Sequence, residues 1–542
     1  MRRNFILLLT FLFSLCSLSY QFIIMRILDQ FTMDEILGQS VTLGFYLLFM
    51  GIGAAYSYWK KSEDPTRRLF RLELLLSLAG AFLVSLMYGS YAFLSVYASE
   101  FFQAKGHSAW NSLKIILLFQ IFSAAIGFLS GFEIPCLQGM LEKDSQKSAM
   151  NKILGVNYLG ALLASFTVSL VLVPRLNLGV SSLLIACLNL IGALGLLFLQ
   201  NLNIKKRILA GLQMAAVLAG MWMSAASFAQ IEQAYLKIYY LEIHNDHFSF
   251  ENFKTLRTFV KTLPSVERYV TPYQMIDITP RDWGYEPYLK NDFTLYLNMQ
   301  PQFSESSISL YHQTMAHGGL NLAGVIPKNI LILGAGDGLL AHELLKYPEV
   351  ESITLIELDP FMIELAEQHE YFLRYNQHSL VDPRVHVIVG DAYAYLRQSQ
   401  NKFQAIFVDF PFPNNYELSK LFSREFYQLL RSRLSDDGFA VLDAPIIRFQ
   451  DPSKDEIKPL PQDIIVSTLK SAGFPCILFY GPVEPFVFVS AKAKDIHFDY
   501  AKLPNFIENR VLLNLTNLNH VLNEADIRED NVNSIYKPKR FR

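Results

Sequence analysis

Apolar residues crowd the first 230 positions and thin out after them. A bilayer core takes about 20 apolar residues per helix. Seven segments meet or approach that length, at 5–27, 41–59, 74–97, 113–137, 153–173, 178–199 and 208–229. The opening "MRRNFILLLTFLFSLCSLSY" has the charged start of a signal peptide. Its apolar stretch outruns an ordinary h-region and six more spans follow, so it reads as a retained first helix. Arg2, Arg3, Lys60, Lys61, Arg67, Arg68, Arg71, Lys143, Lys147, Lys152, Lys205, Lys206 and Arg207 fall in loops of one side. The other side offers only Arg26, Lys105, Lys114 and Arg175. That bias puts the N-terminus in the cytoplasm. Seven crossings would carry everything after residue 230 outside, whereas a last segment lying along the membrane would keep it inside. Both arrangements stay open.

After residue 230 the periods change. Residues 231–320 read as a small β-rich subdomain, with strands in "AYLKIYYLEI", "VERYVTPYQMIDITP" and "FTLYLNM". From 321 to 492, short apolar runs alternate with amphipathic stretches: "NILILGAG", "SITLIELD", "RVHVIVGDA", "FQAIFVDF" and "GFAVLDAP" are the runs. Near-continuous apolar strands alternating with helices predict a parallel sheet covered on both faces. Residues 493–542 read as a polar, Asn-rich C-terminal extension, ending in a solvated "YKPKRFR". A chain of 542 residues has room for such a division.

Composition removes some function classes. The net charge of −2 leaves no basic face for a nucleic acid. Cys16, Cys136 and Cys187 lie in apolar runs and Cys476 stands alone, so neither a disulfide framework nor a CxxC metal site is readable. His312 and His317 suit packing or hydrogen bonding better than metal ligation, and no metal is expected. Glu133, in "GFLSGFEIPCLQGM", is either a functional group at membrane depth or an interfacial helix cap. Asn157 and Tyr158, in "GVNYLGALLAS", read as helix-packing residues.

Ligands of an open α/β sheet sit beyond the C-terminal strand ends. After the first strand come Gly334, Ala335, Gly336, Asp337 and Gly338, a loop that permits positive φ and close backbone approach. A carboxylate in this loop would repel a pyrophosphate, which favours a cationic ligand over a dinucleotide. Glu357, about 20 residues on, ends the second strand where an acid accepts from ribose hydroxyls. Asp391 and Ala392 follow the third strand, and Asp409 ends the fourth. Four acids at four strand ends describe a nucleoside pocket without phosphates, suited to a sulfonium. S-adenosylmethionine and its decarboxylated form answer that description.

These residues resemble the spermidine synthase family of polyamine aminopropyltransferases, in particular its membrane-bound bacterial branch. The resemblance runs through "TPYQMIDI", "LYLNMQPQF", "YHQTMAH", "GAGDG", "IELD", "GDAYAYL" and "VDFPFPNNYELSKLFSREFY", in that order, with "GFEIP" and "NYLGALLAS" in the apolar half. It implies a polytopic α-helical membrane domain over 1–230. An α/β Rossmann-like domain of the class I methyltransferase type follows, carrying a small N-terminal β-hairpin subdomain. It also implies roles: Gln274 and His312 on the cofactor, Gly334, Gly336 and Asp337 at its charged end, Glu357 on the ribose, and Asp391 with Ala392 at the adenine. Tyr311 and Asp409 would line the acceptor side, with Asp409 as base.

Decarboxylated S-adenosylmethionine is then the aminopropyl donor and a small amine such as putrescine the acceptor. The chain would be a multi-pass protein of the inner membrane in contact with lipid, with a homodimer among the options left open. Departures from the family pattern remove charge. Phe412 replaces the second acid of Asp-x-x-Asp-Pro, Gln313 the Glu of Tyr-His-Glu, Ser307 and Ile308 an acidic pair, and Asn298 a hairpin Asp. Two rival readings remain, a methyltransferase using S-adenosylmethionine and a membrane transporter or sensor whose soluble part only binds a ligand.

Overall fold

The computed structural model describes residues 2–32, 35–59, 64–98, 109–141, 146–200, 202–240, 253–281, 292–413, 416–443, 461–481, 483–492, 496, 498–515 and 528–539. They fall into two units, Met1–Asn291 with Leu297–Met299, and Asp292–Tyr296 with Gln300–Arg542.

The first unit is built on α1 (Arg2–Thr32), α2 (Glu35–Trp59), α3 (Pro65–Tyr97), α4 (Ala109–Ser130), α5 (Glu133–Leu141), α6 (Gln146–Thr167), α7 (Leu178–Phe198) and α8 (Ile204–Tyr240). Among the described residues, seven helical stretches are long and apolar enough to cross a membrane, α4 and α5 together counting as one. With apolar surface on every side, the helices associate through close packing of small residues. A Cβ on Gly53 would overlap the Phe128 carbonyl, and one on Gly131 the Met50 carbonyl, so α2 meets α4 backbone to backbone. Gly160 meets the Phe11 carbonyl in the same way, and the Ser14 hydroxyl donates to the Asn157 carbonyl at 2.6 Å. Gly160 and the Asn157 backbone thus pack α6 against α1, whereas Tyr158, expected as a packing residue, is exposed.

The last apolar helix is longer than its hydropathy suggested. "AYLKIYY", expected as a strand, continues α8 to Tyr240. Extending a helix already formed orders one residue per hydrogen bond, and packing outweighs the β preference of aromatics. Tyr235 is fully buried and stacks on Tyr88 at 4.4 Å between ring centroids. Downstream, α9 (Phe253–Thr262) ends with its Val260 carbonyl and that of Leu263 accepting from the Lys237 ammonium at 3.3 and 2.6 Å. An antiparallel hairpin of β1 (Glu267–Val270) and β2 (Met275–Thr279) follows. Across it Arg268 grips buried Asp277 with two bonds of 2.7 and 2.6 Å.

Strands β3 (Thr294–Leu297) and β4 (Gln300–Ser304) flank a turn at Asn298 and Met299, both at positive φ.

The second unit holds a seven-stranded sheet. Its strands are β5 (Asn329–Gly334), β6 (Ser352–Glu357), β7 (Val385–Val389), β8 (Phe403–Asp409), β9 (Leu434–Asp443), β10 (Cys476–Tyr480) and β11 (Phe486–Ser490). They lie in the order β10-β11-β9-β8-β5-β6-β7. β5 to β9 are parallel, as expected, while β10 and β11 run antiparallel, so the sheet is mixed. Only five residues separate β10 from β11, room for a hairpin but not for a parallel crossover. The chain order reverses at β5, whose neighbours are β6 and β8. That reversal opens a crevice beyond the C-terminal ends of those strands. Apolar cores cover both faces of the sheet.

Parts of the polar C-terminal extension are packed, while Tyr536, Lys537 and Pro538 of "YKPKRFR" are exposed as expected. Ile507, Val511 and Leu515, the last two on α10 (Asn509–Leu515), are buried in the core with Val441 and Tyr480. Asn533 is buried too. Its amide nitrogen donates to the Ser419 and Phe422 carbonyls at 2.9 and 3.0 Å, and its oxygen accepts from the Lys539 amide at 2.9 Å. Replacing Asn533 with Ala would orphan three backbone groups. We expect a loss of about 2–4 kcal/mol in the second unit, read as a lower thermal midpoint and faster proteolysis of the C-terminal segment.

Candidate active site

The crevice at the strand reversal collects the predicted acids, and each is held there by backbone. At the end of β5, Gly334 has φ +85°, and a Cβ on it would overlap the Asp409 carbonyl. Gly336 lies against Glu357, where a Cβ would come within 2.7 Å of the Glu357 Oε2. Glycine at these two places lets three strand ends close on one another. Asp337 accepts from the Leu339 amide at 2.9 Å, and its carbonyl accepts from Asn376 at 2.9 Å, which holds the loop rigid. Glu357, paired with Val389 in the sheet register, accepts from the Asp359 amide at 2.9 Å. Asp391 accepts from the Ala394 amide at 2.7 Å and caps the helix that starts at Ala392.

On the far side of β5, the Tyr311 hydroxyl lies 2.7 Å from Asp409 Oδ1 and 2.8 Å from Asp443 Oδ2. A tyrosine has one proton to give. It can donate to one carboxylate at a time, and through it the ends of β8 and β9 are joined. His312, next along the chain, is buried with Nδ1 2.9 Å from the Ile308 carbonyl. Burial keeps its pKa low, so the ring is neutral, and the Nδ1 proton goes to that carbonyl.

The electrostatics agree with the geometry. Burial, with the charge of Asp337 added, pushes Asp409 up to about 6. Burial raises Asp337 to about 6 and Glu357 to about 7. Burial, then Asp409 and Asp443, push the Tyr311 phenol up. Among the described residues no Lys or Arg shifts these acids, and a cationic ligand would lower all three together.

Residues 308–465 match the family described as the spermine/spermidine synthase domain. The chain is 30% identical over 485 residues to Polyamine aminopropyltransferase 2 of Ralstonia nicotianae, covering 87% of this chain and 83% of that protein. It is 30% identical over 424 residues to the Polyamine aminopropyltransferase of Leptospira interrogans, covering 78% and 75%. The chain belongs to the polyamine aminopropyltransferase family. A crystal structure of spermidine synthase in complex with the transition state analogue AdoDATO aligns with 48% of this chain and 88% of its own, at 22% identity and a TM-score of 0.38.

Against the family pattern, several substitutions acquire local explanations. Gln313 faces Glu343, donating at 3.4 Å, and accepts from the Glu508 amide at 3.1 Å. A Glu there would set two carboxylates together, so this lost charge does not thin the acceptor side as expected. Glu343 also accepts from His317 and Lys346, and these bonds outweigh burial to hold it at about 2. Asn298 occupies a left-handed turn position that Asn tolerates, and its side chain accepts from the Met275 amide at 3.0 Å. Ser307 caps the turn after β4, while Ile308 is buried. Phe412 remains a plain loss of acid and is exposed.

Gln274 belongs to the first unit, in a turn where its amide donates to the Thr271 hydroxyl at 3.0 Å.

Two features escaped the sequence reading. Asp443 is the end of β9 and joins Asp409 through Tyr311, and its signal was an acid closing the fifth apolar run. Leu358 and Val389 are 44% and 53% exposed at the strand ends flanking Glu357 and Asp391, a ledge for a flat apolar ligand. Exposed apolar residues at strand ends could have been noticed.

The raised acids imply a pH dependence with a definite sign. A carboxyl raised in the folded state contributes stability that is full below its unfolded value near 4. It is lost as pH climbs through the folded value. The second unit should lose stability between about pH 4 and 7 without ligand, and Glu357→Gln should remove up to about 3 kcal/mol of that loss. Thermal midpoints of the two proteins at pH 5 and pH 8 check this, and equal midpoints at pH 8 would contradict it.

Proposed function

We propose that the chain transfers the aminopropyl group of decarboxylated S-adenosylmethionine to a small amine, and that it does so as a multi-pass protein of the inner membrane. The supporting observation is the Tyr311 hydroxyl shared by Asp409 and Asp443, on the flank of β5 opposite Glu357 and Asp391. One flank suits a nucleoside and the other an ammonium. In this reading Glu357 accepts from the ribose hydroxyls, and the backbone at Asp391 and Ala392 meets the adenine over the ledge of Leu358 and Val389. Asp337, beside Gly334 and Gly336, faces the donor's amino end. Neutral His312 supports Tyr311 and the cofactor side. The role of Gln274 rests on family resemblance alone.

The chemistry requires such a site. A free aliphatic amine has a pKa of about 10, so the acceptor arrives as an ammonium. Asp409 and Asp443 attract it and accept from its N–H groups. Asp409 takes one proton, which frees a lone pair on nitrogen. Nitrogen then attacks the aminopropyl carbon bonded to sulfur. The N–C bond forms as the C–S bond breaks, and the bonding pair returns to sulfur. Methylthioadenosine leaves neutral, so no general acid is needed. Proton removal by a positioned base contributes roughly 10²–10⁴-fold, and alignment of the two reactants contributes much of the rest.

Purified protein in detergent, supplied with the donor and an amine, should release methylthioadenosine only when the amine is present. Release of S-adenosylhomocysteine from S-adenosylmethionine would replace this reading with methyl transfer. Asp409→Asn should retain donor binding and slow turnover by about 10²-fold or more, and the rising limb of rate through about pH 6 should vanish. Unchanged turnover in that variant would remove Asp409 as base. Restoring the second acid with Phe412→Asp should improve putrescine use, read as a lower KM.

A further inference from the structure

The apolar helices of the first unit enclose acids that catalysis in the second unit does not use. Glu133 opens α5, and its Oε1 accepts from the Ser17 hydroxyl at 2.5 Å. Ser17 is the sixteenth residue of the 31-residue α1, about 22 Å along it at 1.5 Å per residue. Glu133 is therefore no interfacial cap, since its partner lies in the middle of a helix long enough to cross a bilayer. Glu73, on α3, is fully buried, and neither of its carboxylate oxygens has a hydrogen-bond partner. The charges of the two carboxylates reach each other and the Tyr20 hydroxyl.

A second, independent observation comes from the neutral polar side chains around these acids. Asn189, on α7 and 1% exposed, donates from Nδ2 to the Glu73 carbonyl at 3.1 Å and to the Ser77 hydroxyl at 3.4 Å. Those bonds fix its orientation, and its Oδ1 is left without a donor. The amide lies beside the Glu73 carboxylate, outside hydrogen-bond geometry. Tyr20 is fully buried, and its hydroxyl is likewise unpartnered. An orphaned polar group at such depth is costly, and an unpaired charge far more so. Arg68 acts on neighbouring Cys136, but it is engaged with the Ser57 carbonyl at 3.2 Å and lies over the Phe132 ring at 4.6 Å.

The chemistry of these unpartnered atoms selects a ligand. A proton on Glu73 supplies one donor and no charge. An ammonium brings three N–H donors and a charge, enough to bridge the Glu73 carboxylate and the Asn189 oxygen at once. A second carboxylate, on Glu133, answers a second charge, and the surrounding apolar side chains suit a methylene chain. We propose that Glu73 and Glu133, with Ser17, Tyr20 and Asn189, form a binding site within the helical bundle for a linear aliphatic di- or polyamine in its protonated form. The choice of an amine of this class rests partly on the aminopropyl transfer proposed above; the need for a cationic donor does not.

The test uses the full chain in detergent and labelled 1,4-diaminobutane as probe. Equilibrium dialysis should find one amine equivalent per chain that Asp409→Asn retains and that Glu73→Gln or Glu133→Gln weakens at least tenfold. Methylthioadenosine production by the Glu→Gln variants should stay within about twofold of the parent. Glu73→Asp keeps the charge and should fall between parent and Gln, which guards against a variant that loses binding through misfolding. Infrared spectra supply the second readout: addition of the amine should remove any buried carboxylic acid C=O band that Glu73→Gln also removes. Equal binding in parent and both Gln variants would overturn the site. So would a carboxylic acid band that persists in saturating amine, because the pair would then hold only protons. Loss of all amine binding in Asp409→Asn would overturn it as well. If the parent binds this amine in the bundle yet never releases methylthioadenosine, the catalytic reading fails and the bundle site stands.

Discussion

Carboxylates placed where water is scarce govern the second unit, and the sharpest instance is a single phenol hydroxyl held between two of them. Tyr311 can give its proton to Asp409 or to Asp443 but not to both. An ammonium brings the several donors that a single phenol hydroxyl lacks. The strand reversal at β5 brings Asp409 and Asp443 to one flank and Glu357 and Asp391 to the other. Gly334 and Gly336 are then required by space, since a side chain at either would push two acid-bearing strand ends apart. Among the described residues, the strand ends are thereby left with a deficit of positive charge.

The same deficit separates ligand classes. A pyrophosphate would add negative charge to acids already pushed up by burial, whereas a sulfonium or an ammonium relieves them. Family membership and electrostatics agree on this point from independent directions. The substitutions that remove charge divide on inspection. Gln313 and Asn298 answer local demands, a neighbouring Glu343 and a left-handed turn, and Phe412 is an exposed loss of acid. Asp443 brings an acid from another strand to Tyr311.

Much of this was legible in the chain. Apolar runs of membrane length located the helices of the first unit, because a helix must satisfy its backbone within itself wherever lipid surrounds it. Alternation of short apolar runs with amphipathic stretches announced the parallel strands, and acids at the ends of those runs announced the crevice. The errors share a cause. "AYLKIYY" has the residues of a strand, yet it prolongs a helix because Tyr235 stacks on Tyr88 far away in sequence. The polar tail looked idle because Val511, Leu515 and Asn533 are isolated in sequence, and their burial exists only against the folded sheet.

By itself, then, the sequence determined what is written in local periodicity and in short motifs: the apolar helices, the order of strands along the chain, the glycine loop and the acids Asp337, Glu357, Asp391 and Asp409. Only the tertiary structure decided which distant groups share a proton or lack a partner. The meeting of Asp443 with Asp409 across Tyr311, and of Glu73 with Asn189 inside the bundle, joins residues 34 to 132 positions apart. No local pattern records such a meeting, because it depends on strand order and helix packing. A carboxyl's pKa depends on them as well, since it answers to the water and charge around it rather than to its neighbours in the chain.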